Sequence, residues 1–510
     1  MSKLVRLLFT VGLIRLVLCQ SLMASDFDMK KYGAKGDGVT NNTAVIQKAI
    51  DRLSKHGGGR IIFPEGTYLT GSLLLKSNIS ICLKKGSILL GSTNPYDYYP
   101  LVLSESLKND DNAPLALIMA SGARNISLEG EGTIDGQGLA LALAIDSLHH
   151  KGIKIDPHYN TRRMRPDGNI RPKLFSFFGC DGIKVKGLSL RNSSCWGLSF
   201  NLCSHLVIED ADILNRAYWN NDGIDISDCR NVRVAHCRIN SADDGICLKS
   251  HQPDACNDSI YIEDCEVRSS ASAVKFGTAS WGGFKNITID NIRVFDTFRS
   301  AIAIESVDGG VIENIKVSRI TAKHTGNAIF IRLGHRDGKN VGSIKTIMIS
   351  DVSVEVPFDR PDLNYDLRGP EVDFFHNPFP SSIVGIPGYD IQNVRFENIE
   401  IIYPGRATKA MGYVPLWRLQ QIPEQIDRYP EFSMFGELPA WGFYVRHAEN
   451  IVMKNIKLRL ADEDFRPAIV LDDAKDVSFD GLSLPNGTNQ IAAQNSTITK
   501  TGELNITNIK

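Results

Sequence analysis

The sequence carries almost no net charge, -1 over 510 residues, and so offers no basic field of the kind that holds a nucleic acid backbone. Long hydrophobic runs are missing too. Beyond the first twenty residues nothing is apolar and continuous enough to be read as a membrane-spanning helix. The ten cysteines include no tight Cys-x-x-Cys set, which argues against metal binding, and no metal or other cofactor is expected. The two-residue Asn-Gly turns that mark antiparallel hairpins are scarce. What remains is a globular chain of near-average composition, expected to be monomeric, whose class must come from its pattern.

The N-terminus has the composition of an export signal. Lys3 and Arg6 precede an apolar stretch over 7–18 that Arg15 interrupts, with cleavage expected near Ala24 or Ser25. Residues 1–25 are therefore assigned to a signal peptide, and the mature protein to the periplasm or the medium. Leu16-Val17-Leu18-Cys19 loosely resembles a lipoprotein signal, but Leu18 is bulky where a small residue belongs, so anchoring at Cys19 stays open beside simple cleavage. Export permits disulfides. Cys229, Cys237, Cys247 and Cys265 nevertheless lie in or beside strand-like runs where a thiol packs as a small hydrophobe, with Cys247–Cys256 pairing as the alternative.

From about residue 115 the chain keeps returning to short alternating runs bounded by Gly, Asn, Asp and Ser. Gly223-Ile224-Asp225-Ile226, Gly245-Ile246-Cys247-Leu248, Ala273-Val274-Lys275-Phe276, Ala301-Ile302-Ala303-Ile304 and Ala328-Ile329-Phe330-Ile331 follow one another at steps of 22, 28, 28 and 27. A second strand family, at 232–234, 260–262, 287–289 and 312–315, falls between them. A period in the twenties with several short strands and little helix predicts an all-β solenoid, a parallel β-helix of single strands stacked coil on coil. Residues 43–55 predict an amphipathic capping helix with Val45, Ile46, Ala49, Ile50 and Leu53 on its apolar stripe. The less regular stretch at about 358–440 is assigned to a long loop insertion, with 26–510 forming one domain.

Alternation along the strands points Ile224, Ile226, Ile246, Leu248, Val274 and Phe276 inward. Asp225, Cys247, Lys275, Ala303 and Phe330 then form one outward column, and Ser227, Lys249, Gly277, Glu305 and Arg332 a second. Asp222 and the pair Asp243-Asp244 sit on equivalent turns one coil apart, so their carboxylates converge. Such a group suits glycoside hydrolysis, with one acid held protonated by its neighbours and, for inversion, acid and base about 6.5–9.5 Å apart. Asp and Asn before Gly are also ordinary turn residues, and the same carboxylates suit calcium.

The motifs Asn220-Asn221-Asp222-Gly223, Asp243-Asp244, Gly130-Glu131-Gly132-Thr133-Ile134-Asp135-Gly136 and Tyr32-Gly33-Ala34-Lys35-Gly36-Asp37-Gly38 resemble glycoside hydrolase family 28, the polygalacturonases and their rhamnogalacturonan-cleaving relatives. The resemblance runs from about residue 26 to at least 335. It implies a right-handed parallel β-helix and an inverting reaction on pectic polysaccharide or oligosaccharide. Asp243 is then the general acid, with Asp222 and Asp244 as the pair that activates water. Two departures stand out. Where the family has Gly-His-Gly this chain has Ala271-Ser272-Ala273, and where it has the uronate-holding Arg-Ile-Lys this chain has Ala303-Ile304-Glu305, whose acid would repel a uronate unless Arg332 pairs with it.

Lys249, Lys275, Arg332 and His335 are therefore the expected substitute contacts to substrate, beside Asn220 and Trp219 at the first acidic turn. Trp196 and Trp281 are further candidates for sugar stacking, and Arg162-Arg163-Met164-Arg165 for bordering the groove. Pectin degradation, on rhamnogalacturonan or from galacturonide ends, is the leading expectation. A calcium-dependent pectate-lyase-like enzyme and a non-catalytic glycan-binding β-helix are its alternatives.

Overall fold

The computed structural model describes residues 26–103, 114–359, 361, 379–408, 415–485, 490–500 and 504–509. The export signal and Cys19 lie outside them. No helix among the described residues is long and apolar enough to cross a membrane.

Three short strands make a coil. One coil runs Leu198–Asn201, Ser204–Glu209 and Asp212–Asn215, and the next runs Ile224–Ser227, Arg230–Ala235 and Arg238–Ser241. Every strand pairs in parallel with its counterparts one coil away, so that Asp225 sits between Ser199 and Cys247. This is the parallel β-helix that the period predicts. The column continues through Lys275, Ala303 and Phe330 to Ser382, Tyr444, Val470 and Ala492.

The inward residues, among them Ile224, Ile226, Ile246, Leu248 and Phe276, are fully buried in one apolar cluster extending from Met29 to Ala493. Each such side chain contributes roughly 1.5–3 kcal/mol on burial, and stacking like on like keeps the register. The corners use left-handed residues that Asn and Asp tolerate, among them Asn286 at φ 53° and Asn314 at φ 58°. Asn314 Nδ2 donates to Asn286 Oδ1 at 2.6 Å and Asn286 Nδ2 to Asp258 Oδ1 at 2.8 Å, so the corner amides stack from coil to coil.

The first coil is covered by α1, Thr43–Lys55, which buries Ile46, Ala49, Ile50 and Leu53. The side chain of its N-cap residue Asn42 makes no capping bond to the helix. Asn42 Oδ1 accepts from the Lys35 N–H (2.7 Å) and Nδ2 donates to the Thr40 carbonyl (2.8 Å), tying the lid segment to the cap. A second helix, α2 at Gly138–His150, has no counterpart among the sequence expectations. Its Leu-Ala alternation over 139–144 reads as period two, yet both residues are strong helix formers, and the buried set Gly138, Leu141, Ala142 and Ile145 has helical spacing.

The irregular region also differs in detail. Ser381–Val384 is a rung of the solenoid inside the stretch assigned to the insertion, pairing with 330–332 on one side and Phe443–Leu460 on the other. The loop that follows Ile391–Tyr403 returns across the outward columns. There Leu419, Ile422, Phe432 and Phe435 cover Phe330, Val384 and Tyr444 in a second apolar cluster. Outward-pointing residues of this face are thus buried residues.

All nine described cysteines are free thiols, and Cys247 and Cys256 are not joined. Eight are buried. Cys180, Cys203 and Cys229 recur at the same corner, each thiol donating to the carbonyl two residues earlier.

Candidate active site

The two acidic turns lie directly on one another. Gly223 N–H donates to the Asp244 carbonyl (2.9 Å), and the N–H groups of Ala242 and Asp243 donate to the Asn221 carbonyl (3.1 and 3.2 Å). Asn221 is buried, its Nδ2 reaching the carbonyls of Ser193 (3.0 Å) and Cys195 (2.6 Å) a coil earlier. Gly223 permits this stacking, because a Cβ there would stand 2.4 Å from the Gly245 carbonyl oxygen. As a result Asp222, Asp243 and Asp244 each place a carboxylate oxygen within 4.8 Å of the others. This is tighter than the separation of about 6.5–9.5 Å usual for inverting pairs.

Two buried lysines brace the acids. Lys249 Nζ lies 2.8 Å from Asp225 Oδ1 and 3.3 Å from Asp222 Oδ2. Lys275 Nζ lies 3.2 Å from Asp244 Oδ2 and 3.9 Å from Glu305 Oε2, and donates to the Tyr429 hydroxyl at 3.0 Å. Four carboxyl groups, those of Asp222, Asp225, Asp244 and Glu305, thus face these two ammonium groups. Burial, then the neighbouring Asp225, pushes Asp222 well above the usual carboxylate range. Burial also raises Asp225, against the pull of Lys249. Both lysines are held well above the ordinary lysine value, because the attraction of these carboxylates outweighs their own burial. Such groups titrate as a unit.

Neither lysine projects into solvent; Lys249 is 8% exposed and Lys275 1%. Charge balance within the acid cluster, more than capture of a sugar carboxylate, is what their contacts describe. Arg332 is fully buried and departs further from the expected substrate contact. Its guanidinium donates to the carbonyls of Gly385 (2.9 Å), Glu424 (2.7 Å) and Gln425 (3.1 Å), clamping the covering loop. Glu305 accordingly faces Lys275 on the adjacent coil, and not Arg332. His335 is half-buried, with Nε2 3.2 Å from the Gly338 carbonyl and its N–H on the Ile426 carbonyl at 2.7 Å. The Trp219 ring lies under Arg165, 4.4 Å from its centroid, and Arg163, at 5.2 Å. Asn220 Oδ1 accepts from Arg171 at 2.8 Å.

Several participants carry little signal in the sequence. Tyr429 comes from the covering loop and is half-exposed at the edge of the acid cluster. Trp196, a candidate for sugar stacking, has Lys249 Nζ 3.4 Å from its ring centroid. Where a histidine is missing, the backbone N–H of Ser272 donates to Asp244 Oδ1 at 3.0 Å and orients that carboxylate. Arg446, too remote in sequence to place, sits under the same loop, donating to the Ile422 carbonyl at 2.9 Å. His447 lies between Asp473 (2.8 Å) and Glu424 (3.2 Å).

The acid group has the donors for a metal ion, but Lys249 and Lys275 already lie 3.3 and 3.2 Å from Asp222 and Asp244. A divalent cation there would meet two fixed ammonium charges, so the donor set fits calcium poorly.

Burial pushes Glu305 up to about 8, with Lys275 opposing only in part. An unfolded glutamate near 4.3 loses its proton first, so between about pH 4.3 and 8 this residue makes stability fall as pH rises. Glu305→Gln removes that slope. The difference in Tm between variant and parent is expected to be more positive at pH 8 than at pH 5 by scanning calorimetry; an equal difference at both contradicts a buried, proton-holding Glu305.

Residues 59–356 match the family model for glycosyl hydrolases family 28. Among curated relatives, a "Probable polygalacturonase" from Vitis vinifera is 26% identical over 349 residues, covering 66% of this chain and 62% of that protein. An "Exo-poly-alpha-D-galacturonosidase" from Dickeya chrysanthemi is 27% identical over 360 residues, covering 62% and 58%. The chain thus spans less than two thirds of the length of either. The family 28 exopolygalacturonase structure from Yersinia enterocolitica superposes with a TM-score of 0.64 at 17% identity, over 92% of this chain and 80% of that one, a likeness of fold. The right-handed parallel β-helix is that shared fold. With the family model matched across more than half of its length, the chain belongs to glycosyl hydrolases family 28.

Proposed function

We propose that this protein is an exported, monomeric glycoside hydrolase acting on pectic polysaccharide with inversion, its residues 26–510 forming one β-helix domain. The meeting of Asp222, Asp243 and Asp244 on stacked turns carries the reading. Asp243 is the least buried of the three and gives its proton to the glycosidic oxygen as the bond from that oxygen to the anomeric carbon breaks. Water between Asp222 and Asp244 attacks the anomeric carbon from the opposite face, and its proton passes to that pair.

Asp222 Oδ1 is buried without a hydrogen-bond partner and is the acceptor with an open position for that water. Asp222 Oδ2 and Asp244 Oδ2 are turned to lysines, which keeps those atoms from acting as nucleophiles. This bracing accounts for water as the attacking group despite the short spacing. The proton held around Asp222 in the free protein resupplies Asp243 within the same coupled cluster.

The departures at Ala271-Ser272-Ala273 and Ala303-Ile304-Glu305 favour rhamnogalacturonan or galacturonide chain ends over the interior of homogalacturonan. Product analysis on a panel of pectic oligosaccharides tests this. Saturated fragments released equally with and without a chelator are expected. An unsaturated product, or activity lost on chelation, contradicts it.

A further inference from the structure

Outside the acid group, a second set of donors gathers at one corner of the solenoid. Asp390, His447 and Asp473 stand one residue before Ile391, Ala448 and Ala474, which are fully buried and stacked on successive coils. The corner turns through left-handed backbone, φ 48° at His447 and 54° at Asp473, so these side chains leave the coils side by side. One His447 ring nitrogen and one oxygen from each aspartate lie within 4.8 Å of one another. Zinc bonds of about 2.0–2.2 Å keep their donors roughly 3.3 Å apart, so rotation of these side chains closes the set.

The imidazole is already oriented as a ligand. His447 is 7% exposed, with Nδ1 2.8 Å from Asp473 Oδ2 and Nε2 3.2 Å from Glu424 Oε1. A carboxylate on the far nitrogen fixes the tautomer and raises the basicity of the near one, the arrangement that supports histidine at metal centres. Glu424 is itself anchored, paired with Arg446 and with its carbonyl held by Arg332 at 2.7 Å. Nδ1 therefore stays aimed at the aspartates.

The charges at the corner leave room for a cation. Arg446 is taken up by Glu424 and by Asp472, 3.2 Å away. Asp390 faces Lys475, whose Nζ lies 3.1 Å from Oδ2. That lysine side chain is 51% exposed, unlike Lys249 and Lys275 beside the catalytic acids. An exposed pair of this kind is weak, so Lys475 can swing into water.

We propose that Asp390, His447 and Asp473 form a site for one divalent transition-metal ion, zinc by its donors, which ties three coils and the covering loop together. One imidazole nitrogen and two carboxylate oxygens, with solvent completing a tetrahedron, suit zinc better than calcium or magnesium, which take oxygen ligands. Binding displaces the proton between His447 and Asp473, and Lys475 moves aside. Cysteine spacing gives no hint of the site, because its donors come from three coils. Its role is structural: Glu424 belongs to the loop that carries Tyr429 to Lys275, and the ion steadies that loop through His447. Hydrolysis well below the unfolding temperature stays independent of chelators.

The test uses full-length, untagged protein stripped with a chelator, dialysed, and titrated calorimetrically with zinc alone. One ion per chain with a Kd of about 1 µM or tighter is expected, together with a higher Tm in zinc than in calcium or magnesium at equal concentration. Asp390→Asn and Asp473→Asn, both at partly exposed positions, are each expected to weaken zinc by at least about 10-fold, and Glu424→Gln by about 10-fold. Asp222→Asn, in the acid cluster, is expected to leave zinc affinity unchanged. No stoichiometric binding, or binding that survives the Asp390→Asn/Asp473→Asn double variant, overturns the proposal. So does loss of binding in Asp222→Asn, which would move the ion to the catalytic acids.

Discussion

Asp243→Asn is expected to lower kcat by roughly 10²- to 10⁴-fold, the usual range for loss of a general acid or base, with KM little changed. The expectation follows from position. Asp243 and Asp244 are adjacent in the chain, but Asp244 is buried, bonded to the Ser272 N–H at 3.0 Å and facing Lys275 at 3.2 Å. Asp243 is half-buried, the least buried of the three acids. Loss of a proton donor hurts most when the leaving group is a poor one, so the variant is expected to cleave a nitrophenyl glycoside with a smaller deficit than a disaccharide. Stability is expected to hold or rise, since a charge leaves a crowded set of acids. A loss below about tenfold on natural linkages, in a variant that remains folded, contradicts the role.

Lys249→Met is expected to destabilise the protein by about 3–5 kcal/mol, the range for removing one partner of a buried ion pair. Asp225 is fully buried and Asp222 is 3% exposed, and Lys249 forms an ion pair with both. Without it two neighbouring carboxyls must hold more protons or leave the interior. The double variant Lys249→Met/Asp225→Asn removes one of those acids and is expected to recover part of the loss in chemical denaturation. No recovery would mean that packing against Trp196, and not charge, is the main contribution of Lys249.

The solenoid was legible because its evidence is repetitive: five strand starts at near-equal steps leave few other folds. The acids were legible because turns one coil apart stack, whatever the details of packing. The environment of the acids was not. Alternation places Lys275 and Arg332 outward, and outward ordinarily means wet, but a loop far along the chain lies over them. Tyr429 is 154 residues from the lysine it meets. The same distance hides the partner of Glu305, since sequence columns pair it with Arg332 while the loop carbonyls claim that guanidinium. α2 escaped because its Leu-Ala alternation has the period of a strand and the propensity of a helix.

The anomeric configuration of the first product tests the central claim most directly. Proton NMR recorded in the first minutes of hydrolysis of a defined α-linked pectic oligosaccharide should show the β anomer of the new reducing end appearing first, then relaxing to the equilibrium mixture, with no signal from the Asp243→Asn variant. First appearance of the α anomer would mean a covalent sugar intermediate on one of the closely spaced aspartates, and would contradict the water-activating role assigned to Asp222 and Asp244.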